Sequence, residues 1–526
     1  MTLPGLMQPT PLTLRAIFDR MRTVHADGEV VDADGRRSYG ELAERILRLC
    51  RVLTDELGLR PGDRVASFAV NSARHLELYW AVPLIGAVLH TVNVRLYDEQ
   101  VAYIVDHAGD RVVFTDDALA DQLSVLRPSV PSVERAIVLG DEYEALLAGA
   151  APVHPDALPD VPESAAFGLC YTSGTTGMPK GVLHSHRAMY LHAMGTCMAD
   201  SIGLREHDRV LPIVPMFHAF GWGLPYAAAL TGAELLLHGA DSSPEAIGAL
   251  IEGEQATVAA AVPTIWKALL PLLQRGAVDA SSLRLVFVGG SASPRALIEA
   301  YDDLGIDYLQ VWGMTETGPL ACASRPRRRH RGLRREELLD VRERTGTILP
   351  GVEARVVSDA GDELPLDGTT VGELEVRGPW IASAYFRGDD VDRFHDGWLR
   401  TGDMAAMEHD GYFRIVDRAK DLVKSGGEWI SSVELEGHLL GHPDVVDAAV
   451  VGVPSHKWDE RPVAVVVADP DGVAPSLESL REFLAPRVAR WWLPDAVVVV
   501  EEIPKTSVGK LDKKVLRSQL VGMQLP

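Results

Sequence analysis

One short segment of the sequence combines the residue types that surround a phosphate group. The run YTSGTTGMPKGV, residues 171–182, follows directly on an apolar stretch. Its glycines, Gly174, Gly177 and Gly181, permit backbone conformations closed to other residues, so successive N–H groups can converge on an anion. Lys180 adds a mobile positive charge, and hydroxyl donors come from Ser173, Thr175 and Thr176. We therefore predict a phosphate-binding loop, although not of the Walker type, whose G-x-x-x-x-G-K-[ST] pattern is absent. The alternative is a polar surface loop after a strand.

Alternating helix and strand patterns must position this loop. The segment SYGELAERILRLCRVL begins with a capping box formed by Ser38 and Glu41, and apolar residues then recur at helical spacing. Short β-branched runs follow at residues 63–71, 110–117 and 135–140, and the rhythm returns at residues 232–239, 256–266 and 283–290. This alternation predicts an α/β fold with two doubly wound layers.

The pattern changes in the last third of the chain. From about Gly346 the segments GVEARVVSD and GELEVRGPW indicate an antiparallel sheet or small barrel-like subdomain. After GYFRIVDRAKD, two helices, an antiparallel pair and a further strand indicate a small α+β unit. We place the boundary at Asp417, which gives a large N-terminal domain, residues 1–416, and a small mobile C-terminal domain, residues 417–526.

Composition excludes several classes of protein. A formal net charge of −23 over 526 residues argues against nucleic acid as the main partner. The four cysteines are scattered, which argues against a disulfide scaffold and a zinc site. The N-terminus lacks a signal-peptide pattern, and the longest apolar stretch, residues 79–90, falls short of the ~18 residues that a membrane span needs. We therefore expect no integral membrane segment and a cytoplasmic location.

Five segments in order give the chain a family resemblance. The phosphate-loop run resembles that of the adenylate-forming superfamily, which includes acyl-CoA synthetases, firefly luciferase and the adenylation domains of peptide synthetases. The other four are VWGMTETGP, GWLRTGD, DRAKDLVKSGGEWISS and PKTSVGKLDK. With VPMFHAFGWGLPYAA upstream, the chain is most similar to bacterial medium- and long-chain fatty acyl-CoA synthetases. The resemblance implies ATP, Mg²⁺ and coenzyme A, formation of an acyl-AMP, and transfer of the acyl group to the thiol. Homodimers occur among similar relatives, and the oligomeric state stays open.

The resemblance also implies roles for individual residues around the nucleotide. Thr172 and Glu316 would hold Mg²⁺ beside the phosphates, because both offer hard oxygen ligands. Thr315 would donate to the α-phosphate, and Asp403 would accept both ribose hydroxyls. The adenine contacts would come from Gly290, Gln310 and Trp312, and further nucleotide and hinge contacts from Gly313, Arg418, Lys420, Lys424, Gly426, Gly427 and Trp429. Plainer interpretations remain: Glu316 as a helix N-terminal charge, Asp403 as a turn residue, and Gly289 and Gly290 as the end of a buried strand.

The resemblance also implies residues for the acyl side and for the catalytic lysine. His218 matches a position lining the carboxylate site, Gly289 a position in the substrate pocket, and Trp222 a ring that gates the fatty acid tunnel in some relatives. Ordinary core packing is the alternative for His218 and Trp222. Lys510 matches the lysine that reaches the α-phosphate and the substrate carboxylate. Its alternative is a solvated helix-start charge, as for the lysines nearby, Lys505, Lys513 and Lys514.

The predicted function is therefore activation of a medium- or long-chain fatty acid to its coenzyme A thioester. An aryl-CoA ligase, an acyl-AMP ligase that loads a carrier protein, and a nucleotide-binding protein that has lost catalysis are the alternatives. The arginine-rich stretch Arg325–Arg335 has two interpretations, a docking patch for the phosphates of coenzyme A or a solvated loop and helix face.

Overall fold

The structure, a computed structural model of the 526-residue chain, describes residue 3 and residues 5–172, 178–425, 428–455, 457–470, 472–506 and 511–521. Its described strands form three sheets. The described α-helices are Leu14–Thr23, Tyr39–Arg51, Ala73–Leu84, Asp98–Ala108, Asp117–Leu126, Asp141–Gly149, His186–Cys197, Leu224–Thr231, Pro244–Gly253, Pro263–Gln274, Arg295–Asp303, Arg335–Arg342, Ser432–Leu439, Leu477–Leu484 and Lys513–Gln519.

The first sheet carries the phosphate-loop segment at one edge. Its strands run in the spatial order Arg135–Val138, Val112–Thr115, Arg64–Phe68, Val88–Thr91, Ala166–Tyr171 and Gly181–Ser185. All neighbours are parallel except the last pair, which is antiparallel and joined through the phosphate-loop segment. The predicted β-α alternation is confirmed here, and so is the capping box of Ser38 and Glu41 at the start of Tyr39–Arg51.

The second sheet is longer and of mixed direction. In spatial order its strands are Gly35–Ser38, Glu29–Asp32, Glu234–Leu236, Arg209–Pro212, Val258–Ala261, Leu285–Val288, Asp307–Gly313, Leu320–Ala323, Gly346–Ile348, Tyr412–Arg418, Trp398–Met407, Gly372–Arg377 and Glu353–Val357, with Phe394–His395 paired beside Trp398–Met407. It is parallel from Glu29–Asp32 to Asp307–Gly313 and antiparallel beyond. The predicted barrel-like strands thus continue the second sheet.

The third sheet lies in the last quarter of the chain. Its strands run in the order Glu428–Ile430, Val423–Ser425, Asp459–Ala468 and Val445–Ser455, and Ala496–Val500 pairs with Asp459–Ala468 in parallel. The chain changes sheets between Arg418, which ends a strand of the second sheet, and Val423, which begins one of the third. Helices pack on one face of this sheet through Leu435 and Leu480.

Alternating burial explains how the two large sheets are layered. Along the strand Leu285–Val288, Leu285 and Phe287 join the main core, whereas Val286 and Val288 join a second core. This is the period of two expected when both faces of a strand are covered. The main core lies between the two sheets, and helices cover their outer faces. Among the described helices, none has the length and apolar composition needed to cross a bilayer.

Candidate active site

The site forms where strands of the two large sheets end. Parallel pairing places Val288 opposite Gln310, so Gly289 and Gly290 emerge beside the strand that leads to Trp312. Gly290 has φ of +93°, a left-handed backbone that favours glycine, and is exposed. Ligand sites in open α/β sheets lie at such carboxyl ends. The fold therefore brings Gly289, Gly290 and Gln310, which were predicted for the acyl and adenine sites, together near the carboxyl ends of neighbouring strands.

The stem of the phosphate-loop segment is closed by two hydrogen bonds. The Thr172 N–H donates to the Lys180 carbonyl oxygen at 2.9 Å, and the Lys180 N–H donates to Thr172 Oγ1 at 3.3 Å. The Lys180 ammonium pairs with the Asp390 carboxylate and lies 5.3 Å from the centre of the Tyr385 ring. Thr172 and Lys180 thus stand at the two ends of the loop segment, and their roles beside Mg²⁺ and phosphate stay predictions.

Tyr385 links this stem to Glu316, and no motif in the sequence indicated this residue. The Tyr385 hydroxyl donates to Glu316 Oε1 at 2.5 Å, and burial raises the pKa of that hydroxyl, so it stays a donor. Glu316 is 4% exposed and lies in the short 3₁₀ helix Thr315–Thr317. In the sequence, Tyr385 is only a tyrosine within the turn-rich segment SAYFRGD, and this pattern is too weak to predict a site residue.

The carboxylate of Asp403 is held by two partners. Trp312 Nε1–H donates to Asp403 Oδ2 at 2.9 Å, and Arg418 Nε lies 2.8 Å from Asp403 Oδ1. Each oxygen keeps a free lone pair, so the carboxylate can still accept from ribose hydroxyls. Asp403 lies inside the strand Trp398–Met407, so the turn interpretation does not describe it. The Trp312 ring meets Phe413 edge-to-face at 5.9 Å between ring centres.

Contacts within the protein fix the side chain of Gln310 and require glycine at position 313. Gln310 Oε1 accepts from the Ser293 N–H at 3.1 Å, and its amide nitrogen donates to the Arg342 carbonyl oxygen at 2.8 Å. Both ends of this amide are occupied, and its contact with adenine stays a prediction. A Cβ at Gly313 would overlap the Pro319 carbonyl oxygen, so this close chain approach needs glycine.

The proposed acyl side contains a strained turn. Five consecutive residues, 219–223, have positive φ of 44°, 53°, 58°, 57° and 72°. Ala219, Phe220 and Trp222 are not glycine, and left-handed backbone costs such residues roughly 1–2 kcal/mol each. Strain of this kind is often stored at functional sites. The sequence showed the flanking glycines but not the left-handed turn.

Trp222 from this turn packs at the end of the central strand. Its ring lies 5.9 Å from that of Phe287, and a Cβ at Gly289 would stand 3.2 Å from Trp222 Cη2. The side chain is half-buried, and Gly289 is buried. His218, at the entry to the turn, is also partly exposed, and its main-chain carbonyl accepts from the Gly221 N–H. The structure thus brings Gly289, Trp222 and His218 to one region.

A buried charged network crosses the junction between the second and third sheets. Lys513 Nζ lies 2.7 Å from Glu436 Oε1 and donates to Ser432 Oγ at 2.6 Å. Ser432 in turn donates to Asp417 Oδ2, through its hydroxyl at 2.5 Å and its N–H at 2.7 Å. Burial raises the pKa of Glu436 to about 7 and also raises that of Asp417. Lys513, grouped in the sequence with solvated charges, is buried.

Three further residues predicted beyond Asp417, Lys420, Lys424 and Trp429, have contacts of their own. Arg517 ion-pairs with Asp421 and donates to the Lys420 carbonyl oxygen at 3.1 Å. The Lys424 ammonium lies 4.8 Å from the centre of the exposed Trp429 ring. The predicted residues Ser173, Gly174, Thr175, Thr176, Gly177, Gly426, Gly427 and Lys510 lie outside the described residues.

Two further features bear on charge at the site. No group of three or more His, Cys, Asp or Glu side chains that could hold a metal occurs among the described residues. Mg²⁺ fits this arrangement, since it takes one or two protein oxygens and completes its shell with phosphate and water. In the arginine-rich stretch, Arg325 pairs with Asp307, Arg329 with Asp410 and Arg335 with Asp303. These pairings favour the solvated-loop interpretation.

Comparison with known proteins identifies the class to which this fold and site belong. The sequence model of the AMP-binding enzyme family matches residues 18–386, and that of the AMP-binding enzyme C-terminal domain matches residues 434–510. The chain belongs to the AMP-binding enzyme family, and the predicted resemblance is confirmed.

Individual relatives cover almost the whole chain. The 3-methylmercaptopropionyl-CoA ligase of Ruegeria pomeroyi is 42% identical over 98% of this chain and 98% of its own. The long-chain-fatty-acid–CoA ligase of Thermus thermophilus is 43% identical over 98% of this chain and 97% of its own. The anthranilate CoA ligase AuaEII, solved with anthranoyl-AMP, superposes with a TM-score of 0.88 at 26% identity, covering 97% of this chain and 98% of its own. The protein is an adenylate-forming acyl-CoA ligase that uses ATP, Mg²⁺ and coenzyme A.

Proposed function

We propose that the acid is a medium- or long-chain fatty acid, converted to acyl-AMP and then to acyl-CoA. The observation that carries this proposal is the apolar cluster of Trp222, Phe287 and Gly289 at the end of the central strand. No charged residue occurs in the surrounding segment, residues 215–229. An amino acid would need a carboxylate for its ammonium group, since an unpaired charge is costly to bury.

The nucleotide residues divide the work of adenylation. Thr172 and Glu316 would hold Mg²⁺, which neutralises phosphate charge when bound. The Tyr385 hydroxyl keeps Glu316 oriented, and Thr315 would donate to the α-phosphate. Asp403, oriented by Trp312 and Arg418, would accept from the ribose. Each group is positioned before the reactants meet, so little reorganisation accompanies the reaction.

The second half-reaction needs a different arrangement. Lys510 would lie at the carboxylate during adenylation, and a thiol must later approach the same carbon. We place the domain boundary at Asp417 and the hinge at residues 417–420, where the chain leaves the second sheet for the third. Rotation there would withdraw Lys510 and bring the segment with Gly426 and Gly427 to the thiol path.

Two other acids are alternatives to a fatty acid, and one other thiol is an alternative to coenzyme A. The Ruegeria relative is named for 3-methylmercaptopropionate, a short thioether acid. The structural neighbour is named for anthranilate, an aromatic acid. A carrier-protein thiol in place of coenzyme A is the third alternative. Trp222 favours an aliphatic chain, because its ring occupies space beside Gly289 that a rigid aromatic acid would need.

A panel of acids tests the proposal directly. AMP release with coenzyme A is measured for straight-chain acids from acetate to palmitate, for 3-methylmercaptopropionate and for benzoate. Activity should rise with chain length until the pocket ends, since each buried methylene can contribute about 0.8 kcal/mol. Replacing coenzyme A by a holo-carrier protein identifies the acceptor, and Glu316→Gln controls for contaminating ligases.

The panel has clear contrary outcomes. Highest kcat/KM on acetate or benzoate, or on an amino acid added to the panel, would refute the fatty acid proposal, and highest activity on 3-methylmercaptopropionate would replace it. Faster transfer to the carrier protein would change the acceptor. A cytoplasmic location, where both ATP and coenzyme A are supplied, stays part of the proposal.

A further inference from the structure

A buried histidine beside the strained turn has one ring nitrogen without a partner. His192, in the helix His186–Cys197, is 1% exposed. Its Nε2 accepts from the Leu320 N–H at 2.9 Å, whereas its Nδ1 has no hydrogen-bond partner. Burial lowers the pKa of this ring to about 3, so it is neutral. Since Nε2 accepts, the proton resides on Nδ1, and a buried donor is left unused.

The unused donor faces the turn that carries Trp222. A Cβ built on Gly223 would stand 2.8 Å from His192 Nδ1, so the backbone of the turn lies directly over this nitrogen. The residue before it, Trp222, packs at Gly289. On the other side of His192, Leu320 follows the Thr315–Thr317 turn that contains Glu316. His192 therefore stands between the acyl turn and the segment after the metal residue.

The turn at residues 219–223 and the His192 ring beneath it have two unfavourable features, and one movement of the turn would relieve both. Left-handed backbone at Ala219, Phe220 and Trp222 stores strain. An unpaired buried N–H lacks the hydrogen bond that it would make in water, and most buried polar groups in native structures have a partner. Displacement of the turn by an entering acyl chain would release the backbone and uncover Nδ1.

We propose that the Nδ1–H of His192 is a hydrogen-bond donor to the acyl chain. The site then favours acids that carry an acceptor, such as an ether or hydroxyl oxygen or a thioether sulfur, at one position along the chain. This inference rests on the proposed function and makes it more specific, since it adds one polar contact to an otherwise apolar pocket.

A series of oxa-acids of constant length tests the proposal. Each acid replaces one methylene of the preferred straight-chain acid by oxygen at successive positions, and kcat/KM is divided by that of the parent acid. An ether oxygen loses water on binding at every position, so the baseline falls below one. At the position facing His192 the ratio should rise about three- to tenfold above its neighbours, as one hydrogen bond allows.

Two matched variants assign such a peak to His192. In His192→Gln the amide oxygen can take the place of Nε2 and accept from Leu320, but no donor stands where Nδ1 was. The peak in the ratio should disappear, whatever the activity of this variant on its own parent acid, because each ratio is taken within one variant. His186 is the control, because its Nδ1 accepts from the Leu14 N–H at 3.3 Å and its Nε2 is likewise buried without a partner. His186→Asn keeps that acceptor, removes the unused donor, and should preserve the peak.

The outcomes separate this inference from the proposed function. A flat oxygen profile in the wild type overturns the inference even if His192→Gln does not fold. A peak that survives His192→Gln, or that His186→Asn abolishes equally, also overturns it. Loss of the peak in His192→Phe as well supports it. Absence of activity on every straight-chain acid would instead reject the proposed function.

Discussion

Lys513 holds together a buried network of charges, and removing its ammonium should destabilise the C-terminal part of the chain. In Lys513→Met the apolar stem remains, but Glu436 and Asp417 are left in the interior without their cation. Removing one partner of a buried ion pair costs about 3–5 kcal/mol. The exposed neighbour Lys514 is the matched control, and Lys514→Met should change the free energy of unfolding by less than about 0.5 kcal/mol.

The loss should depend on pH in a definite direction. The folded pKa of Glu436 is about 7, raised by burial from 4.5, so its contribution to stability is fully present below about pH 4.5 and is lost as pH rises through 7. Without Lys513 the carboxylate is harder still to ionise. The penalty of Lys513→Met should therefore be largest at pH 8 and smaller at pH 5, where Glu436 is protonated.

Hydrogen exchange of the full chain measures this effect locally. Opening free energies are compared for the helices Ser432–Leu439 and Lys513–Gln519 at pH 5 and pH 8, with rates corrected for intrinsic exchange. Adding Glu436→Gln to Lys513→Met should recover part of the loss. Equal effects of Lys513→Met and Lys514→Met, or a larger penalty at pH 5, would refute the reasoning.

Three further predictions concern catalysis. Asp403→Asn should raise KM for ATP about 10- to 100-fold, because a charged acceptor is lost at the ribose; an unchanged KM in steady-state assays would remove Asp403 from the nucleotide site. Trp222→Ala should alter chain-length preference more than melting temperature, whereas a loss of roughly 3–5 kcal/mol of stability with unaltered preference would identify a core residue. Lys510→Ala should abolish acyl-AMP formation while sparing transfer from supplied acyl-AMP, and Gly426→Val should do the reverse; single-turnover kinetics that show equal damage to both half-reactions would contradict this division.

The sequence could predict local elements because their signals are local, and it indicates nucleotide residues through short motifs, whose individual roles stay predictions. Ser38 and Glu41 cap the helix through contacts three residues apart. Thr172, Glu316 and Asp403 each lie in a short motif, and the order of these motifs along the chain is visible in the sequence. The chain changes sheets between Arg418 and Val423, and the domain boundary at Asp417 stays a prediction.

The features that the sequence did not indicate are mainly contacts between residues far apart in the chain. Lys513 resembles its solvated neighbours until Glu436, far away in the chain, is folded against it. Tyr385 gains its position from Glu316 and Lys180, and Trp312 directs its N–H to Asp403. The left-handed backbone at Phe220 and Trp222 contradicts their intrinsic preference, so propensity could not indicate it.

The antiparallel edge of the first sheet bears on how we expect phosphate charge to be neutralised at the predicted phosphate loop. The phosphate-loop segment joins two paired strands, Ala166–Tyr171 and Gly181–Ser185, and the next helix, His186–Cys197, begins only after the return strand. In strand-to-helix phosphate loops the helix macrodipole faces the anion. Here that helix begins beyond the hairpin, so we expect the field at the phosphates to come from Lys180, the N–H groups of the loop and the divalent cation rather than from a helix dipole. The Lys180 side chain can move, and the cation can leave with the product, whereas a helix dipole is permanent. The geometry therefore suits an enzyme that must hold pyrophosphate strongly in one half-reaction and release it before the next.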